Sequence, residues 1–402
     1  MKIGINNKNI VLCVCGGIAA YKSAEFLRLL IKQDANVRVI MTQNATEFVG
    51  PLTFEALSGQ PVCTSLFEKS SDDASIKHID WAGEADAVVI APATANIIGK
   101  CAHGIADDAL STFLLAVKCP VLICPSMNTH MYENKAVQRN LDQLRADGFI
   151  IAEPDSGELA CGTTGSGRLP EPADILDRLF SCLTVKDMKN KQVLVTAGPT
   201  REPIDPVRFI SNPSSGKMGY AIARAAEQRG ARVVLVTGPT NLPDPANITT
   251  VRIKTAREMA EAVFERLEQS DIVIKTAAVA DYRPKSPADQ KIKKGEEEKI
   301  LELEKNQDIL KELGTRKKDQ ILVGFAAETQ DLEKNAGLKL AKKNLDIIAG
   351  NLIGGSNSGF EADTNQVTLF FRDGRKEPLS VMGKDEVAHI ILDRVKGLTI
   401  DD

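Results

Sequence analysis

Two stretches of this chain have the same internal order: an apolar run, a glycine turn, a helix-like segment and a second apolar run. The first is "NIVLCVCGGIAAYKSAEFLRLLIKQDANVRVIMT", where an apolar run ends at Gly16-Gly17 and the second reaches Thr42. The second begins "KQVLVTAGPT", turns at Gly198-Pro199, and resumes as "SSGKMGYAIARAAEQRGARVVLVTGPT". Strand, glycine turn, helix and strand make a βαβ unit, which demands a parallel sheet with helices on both faces. Two such openings in 402 residues predict an α/β protein of two Rossmann-like domains. The polar run "LTVKDMKNK", residues 183–191, is the candidate connector, giving domains 1–190 and 191–402.

Further strands are expected in "ADAVVIAPAT", "CPVLICPSMN", "DIVIKTAAVADYRP", "QILVGFAAET", "DIIAGN" and "QVTLFF". "DLEKNAGLKLAKKN" reads as an exposed helix, and "KSPADQKIKKGEEEKILELEK" as a charged hairpin or loop. In open α/β sheets ligands collect beyond the C-terminal strand ends, so the turns after these strands are the candidate sites.

Composition narrows the partners. The chain is 43% hydrophobic and 26% charged, with a net charge of −4, so neither nucleic acid nor an anionic membrane is an expected partner. No apolar run reaches spanning length and the N-terminus lacks a signal-peptide core, which leads to a cytoplasmic expectation. All eight cysteines fall between Cys13 and Cys182. Cys13, Cys15 and Cys124 sit in apolar runs as small core residues, and no zinc-ligand spacing accompanies them. Cys161 differs. It lies in "SGELACGTTGSGRLPEP", a glycine-rich loop closed by Pro170 and Pro172.

Gly16-Gly17 permits close backbone approach to a phosphate, and the next helix points its N-terminal amides there, but G-x-G-x-x-G is missing from both openings. "APATANIIGK", "DDALSTFLLA" and "PSMNTHMYEN" then place small polar residues at strand ends and helix starts. These segments resemble the motifs of the flavin-containing cysteine decarboxylases, PASANT and PxMNxxMW, with departures at Thr94, Ile97 and Tyr132. The likeness extends along nearly the whole chain. Residues 1 to about 190 resemble phosphopantothenoylcysteine decarboxylase and the remainder resembles phosphopantothenate–cysteine ligase, the order of the bacterial bifunctional family of coenzyme A synthesis.

This resemblance implies a flavoprotein-type N-terminal domain holding FMN through Gly16, Gly17, Thr42, Pro92, Thr94, Asn96, Ser111, Thr112 and Met127. It also implies that FMN oxidises the cysteine-derived end of 4′-phosphopantothenoylcysteine to a thioaldehyde. Carbon dioxide then leaves an enethiolate, which is protonated and reduced. Cys161 is implied as the proton donor on a mobile clamp, a role that a thiol of pKa roughly 8.5 can fill. Asn128 is implied to bind the substrate carboxylate, and His78 to assist at the same site.

In the second domain "GPTREPIDPVRFISNPSSGKMG" resembles the ligase substrate loop, in which Asn212 holds the activated acyl group. Lys291, in "KIKK", is implied as the lysine that offsets charge on the phosphoryl oxygens. CTP contacts are implied at Ala277, Ala278, Asp281, Lys291, Gln307, Asp308, Ile309 and Leu310, and at Phe325, Lys339 and Lys343. Mg2+ would accompany CTP; no carboxylate cluster identifies its ligands. The implied activity is CTP-dependent joining of cysteine to 4′-phosphopantothenate through an acyl-cytidylate, then decarboxylation to 4′-phosphopantetheine. The implied assembly is a homo-oligomer of decarboxylase trimers and ligase dimers, up to a dodecamer. Other readings are a peptidyl-cysteine decarboxylase, against which a whole ligase half argues, and a regulatory protein on the same fold, against which His78, Asn128 and Cys161 argue together.

Overall fold

Val11, Leu12, Cys13 and Val14 are all buried although consecutive strand residues face opposite ways, so both faces of their sheet must be covered. The structure, a computed structural model of the chain, describes residues 5–66, 77–159, 162, 164–293, 300–328, 332–352, 362 and 364–398. It divides into two units, Met1–Thr184 and Val185–Asp402.

In the first unit six parallel strands lie in the order Val62–Cys63, Asn36–Met41, Asn9–Val14, Ala87–Ala93, Val121–Pro125, Ile150–Ile151. On one face Ile10, Leu12 and Val14 pack with Phe26, Leu27 and Leu30 of helix Ala20–Lys32 and with Ile175 and Leu179 of helix Pro172–Leu183. On the other, Val11 and Cys13 pack with Ile97, Leu110, Phe113 and Leu141 from three further helices. Burial pushes the Cys15 thiol up to about 12 and raises Cys13 as well, so these cysteines behave as core residues.

The second unit repeats the plan. Parallel strands run in the order Thr249–Arg252, Arg232–Thr237, Gln192–Ala197, Ile272–Lys275, Ile321–Glu328, Ile347–Leu352, and the antiparallel strands Val367–Phe371 and Lys376–Pro378 extend that edge. In both sheets the strand order reverses direction beside the first strand in sequence, which opens a crevice at the C-terminal edge there.

Two segments differ from the reading of the sequence. "DIVIKTAAVADYRP" is not one strand. It leaves the sheet after Lys275, bridges Ala278 to Pro199, and becomes strand Tyr282–Pro284 of a separate two-stranded stem with Leu303–Lys305. Nor do residues 185–191 run free as a connector. Met188 is buried in the core of the second unit, and Asp187 pairs with Arg229 at 2.7 Å and Lys396 at 3.0 Å. Those two bonds, Arg229 first, hold the Asp187 carboxyl down at about 2. Among the described residues no helix is long and apolar enough to cross a membrane.

Candidate active sites

In the first unit the crevice lies between the ends of strands Asn9–Val14 and Ala87–Ala93. The Cys15 N–H donates to the Pro92 carbonyl at 3.3 Å, and a Cβ built on Gly17 would sit 3.9 Å from Thr94 Cγ2, so the two turns adjoin. A side chain at Gly16 would overlap Asn44, just past Thr42. Thr94 caps helix Ala95–His103 and accepts from the Ile97 N–H at 3.5 Å. The N-termini of this helix and of Ala20–Lys32 therefore lie at the turns that Gly16, Gly17, Pro92, Thr94 and Asn96 occupy.

Three hydroxyls of this unit, Thr42 Oγ1, Thr112 Oγ1 and Thr129 Oγ1, are buried with no hydrogen-bond partner among the described residues, and Thr42 and Thr112 are the two among the expected flavin contacts. A buried hydroxyl without a partner costs free energy, and a polar ligand recovers it. Ser111, adjacent to Thr112, is committed elsewhere. Its Oγ donates to Asp108 Oδ1 at 2.8 Å and accepts from the Asp108 N–H at 3.1 Å, forming a capping box on helix Ala109–Ala116.

Strand Val121–Pro125 leads into Ser126, Met127 and Asn128, and Asn128 Oδ1 caps the short helix Thr129–Tyr132 through the His130 N–H at 2.9 Å. Against this turn lies an antiparallel hairpin, Asp155–Glu158 with Thr164–Arg168. The Met127 N–H donates to the Gly167 carbonyl at 3.0 Å, and a Cβ on Gly165 would stand 2.6 Å from Thr129 Oγ1. Lys22 and Arg168 both bond Glu171, at 2.9 and 2.7 Å, fixing the hairpin base. Glu158 pairs with Thr164, the last described pair of the hairpin. Cys161, between the two strands in sequence, lies outside the described residues, as does the His78 side chain; the His78 backbone belongs to helix Lys77–Glu84.

In the second unit the crevice lies between Gln192–Ala197 and Ile272–Lys275. Gly198 turns at φ +69°, and its carbonyl accepts from the Ala278 N–H at 3.0 Å. Thr200 Oγ1 accepts from the Ala280 N–H at 3.0 Å. Gly216 caps helix Lys217–Gln228 at φ +78°, where an added Cβ would stand 2.7 Å from Thr240 Cγ2. Between these turns an arm, Arg201–Pro203 paired with Phe209–Ser211, delivers Asn212, whose amide nitrogen donates to the Val279 carbonyl at 3.1 Å.

Ala277, Ala278 and Asp281 follow strand Ile272–Lys275 directly, and the Asn306 N–H donates to the Asp281 carbonyl at 2.8 Å. Gln307 comes next. Asp308 then caps Ile309–Arg316, the helix that Ile309 and Leu310 begin. Lys343 pairs with Asp308 at 2.9 Å, and the Lys343 N–H bonds the Lys339 carbonyl at 3.0 Å. Phe325 lies on the neighbouring strand one residue past Gly324, the partner of Lys275. Lys291 is exposed, and Lys294 of "KIKK" lies outside the described residues.

Lys275 is a group that the sequence reading missed. Burial first, then the like charge of Lys343, push its pKa down to about 8, with Asp308 and Asp281 partly offsetting this. The only signal in the sequence is a lysine closing an otherwise apolar strand two residues before Ala277. Among the described residues no cluster of histidine, cysteine, aspartate and glutamate could hold a metal ion.

Comparison with known proteins adds the following. Residues 3–184 match the family model described as Flavoprotein, and residues 188–398 match the DNA/pantothenate metabolism flavoprotein C-terminal domain. The coenzyme A biosynthesis bifunctional protein CoaBC of Bacillus subtilis (strain 168) is 52% identical over 399 residues, covering 98% of each chain. Its counterpart from Escherichia coli (strain K12) is 44% identical over 398 residues, again covering 98% of each. A crystal structure of the C-terminal domain of a CoaBC protein aligns at 46% identity with a TM-score of 0.47, covering 54% of this chain and all of that one. With two crevices at the reversal points of two parallel sheets and this likeness from end to end, the chain belongs to the family of bifunctional coenzyme A biosynthesis proteins.

Proposed function

We propose that the second unit joins cysteine to 4′-phosphopantothenate with CTP and that the first unit decarboxylates the product to 4′-phosphopantetheine. The observation that carries the reading is the seating of the hairpin on the Asn128 turn through Met127 and Gly167. That anchor holds the strands that flank Cys161 in sequence against the turn bearing the amide assigned to the substrate carboxylate.

FMN fits the first crevice. Gly16, Gly17 and the start of helix Ala20–Lys32 would take its phosphate, and Thr42 and Thr112 have buried hydroxyls to offer it. Pro92, Thr94, Asn96 and Met127 would line the ring, with Ser111 beside Thr112, its hydroxyl and N–H both also bonded to Asp108. When bound, FMN supplies the reversible two-electron oxidation of the substrate's cysteinyl end. The protein's share is to hold the carboxylate at Asn128 with help from His78, exclude water under the hairpin, and deliver a proton from Cys161 Sγ.

In the second unit Asn212 would orient the acyl group and Lys291 would offset charge growing on the phosphoryl oxygens as pyrophosphate leaves. Ala277, Ala278 and Phe325 would flank the nucleotide, with Asp281 and the turn 307–310 at its edge and Lys339 and Lys343 as nearby cations. Mg2+ would travel with the triphosphate and take most of its ligands from phosphate and water. A homo-oligomer of trimers and dimers is the proposed assembly.

The test is to incubate purified protein with 4′-phosphopantothenate, cysteine, CTP and Mg2+ and to identify the products by mass. 4′-Phosphopantetheine with CMP and pyrophosphate is expected. Omitting CTP should stop this reaction but not the decarboxylation of supplied 4′-phosphopantothenoylcysteine; no CTP-dependent condensation would refute the ligase assignment.

A further inference from the structure

The tip of the arm, residues 204–208, carries an acid with no exposed side-chain surface. Asp205 Oδ1 accepts from the Val207 N–H at 2.9 Å and the Arg208 N–H at 2.8 Å, an ordinary turn-closing pattern. Its other oxygen serves a distant segment. Asp205 Oδ2 accepts from Arg208 Nε at 3.0 Å and Nη2 at 2.5 Å, and from the Ile292 N–H at 3.1 Å. Arg208 Nη2 donates onward to the Ile292 carbonyl at 2.7 Å. A further bond, from the Ala288 N–H to the Ile204 carbonyl at 2.9 Å, ties the same two segments together.

The N–H of Ile292 belongs to the peptide whose carbonyl is that of Lys291. One carboxylate–guanidinium pair therefore holds both backbone polar groups of Ile292, the residue after Lys291. Bonds to ionised partners are roughly twice as strong as neutral ones, and two guanidinium nitrogens converge here on the one oxygen that also takes the Ile292 N–H. Turn closure needs only Oδ1, which leaves Oδ2 and the outer guanidinium nitrogen to grip Ile292. The same arm ends at Asn212, so its two ends reach the two residues assigned to acyl activation.

We propose that Asp205, with Arg208 as its partner, is the positioning residue for Lys291, fixing the 291–292 peptide so that the ammonium is presented to the reacting phosphoryl group. This rests on the reading of Lys291 given above and adds the residues through which the arm imposes that placement.

A double-mutant cycle tests it, read as pyrophosphate release with CTP and 4′-phosphopantothenate in the absence of cysteine. Asp205→Asn should slow release between roughly tenfold and a hundredfold, since a small misplacement of a charged group is costly. The fall should appear in kcat, with KM for 4′-phosphopantothenate little changed. Arg208→Lys keeps a cation beside Asp205 but withdraws the bond to the Ile292 carbonyl; it should show a smaller loss and serves if Asp205→Asn does not fold. Asp205→Asn combined with Lys291→Gln should be no slower than Lys291→Gln alone, within about twofold, because both changes remove one effect. Multiplying effects would overturn the positioning role while leaving Lys291 in place, and so would a wild-type rate for Asp205→Asn. A wild-type rate for Lys291→Gln alone would remove the reading of Lys291 and this proposal with it.

Discussion

The backbone N–H of Met127 bonds the backbone carbonyl of Gly167 at 3.0 Å, joining the turn that presents Asn128 to the hairpin whose strands flank Cys161 in sequence. Forty residues of sequence separate the two groups, yet the hairpin stands on the turn it is proposed to cover. Gly167 sits at φ +134°, and a Cβ there would overlap the Met127 carbonyl oxygen.

Gly167→Ala should therefore lift the hairpin off this turn. Decarboxylation of supplied 4′-phosphopantothenoylcysteine should fall by at least about tenfold, in keeping with the sensitivity of such steps to displacement. The bound-FMN absorbance spectrum should persist, because Met127 is the one flavin contact assigned here that lies on this turn and the others come from elsewhere. Undiminished decarboxylation in this variant would show that the hairpin does not act on the Asn128 site.

Thr42→Val and Thr112→Val separate a ligand contact from a packing defect. Each replaces a buried hydroxyl that lacks a partner among the described residues with a group of nearly the same shape. If the hydroxyls serve only the fold, their removal should be neutral or stabilising to the FMN-free protein and leave FMN affinity unchanged. If they bond FMN, each loss should weaken binding by about 1 kcal/mol or more, roughly fivefold or greater in Kd. Flavin titration by fluorescence quenching measures this, together with melting curves of the FMN-free forms.

Lys275 predicts a pH dependence in the other half. Its pKa of about 8 in the free protein should rise when a triphosphate approaches, because the anion favours the charged form. The contribution of Lys275 to CTP binding is then complete below about pH 8 and is lost as pH rises through the higher pKa of the complex. Calorimetry near pH 8.5 in two buffers of different ionisation enthalpy should reveal proton uptake on CTP binding. Lys275→Met should abolish that uptake and flatten the loss of affinity between about pH 7 and about pH 10. Equal uptake in both proteins would place the titrating group elsewhere.

The parallel sheets were legible in the sequence because continuous apolar runs ending in glycine turns leave few alternatives, and Gly16 and Gly198 stand at the crevices those runs implied. The sites were legible only where a short motif coincides with a strand end, as at Pro92–Asn96 and Ser126–Asn128. What the sequence hid are groups defined by distant partners. Asp187 reads as polar connector, yet its partner Arg229 is 42 residues away. Asp205 reads as a turn residue until the backbone of Ile292, 87 residues on, is seen to meet its second oxygen. Ser111 adds a third case, a residue expected at the flavin whose bonds to Asp108 in a capping box appear only in the fold.

The most direct test of the central claim is to supply cysteine labelled with 13C in its carboxyl group, together with 4′-phosphopantothenate, CTP and Mg2+, and to follow pyrophosphate and labelled carbon dioxide in one reaction. The two sites acting in sequence predict that pyrophosphate appears first, that labelled carbon dioxide follows in equal final amount, and that the 4′-phosphopantetheine formed carries no label. Labelled carbon dioxide released without CTP, or condensation whose product keeps its carboxyl group while FMN is bound, would contradict it.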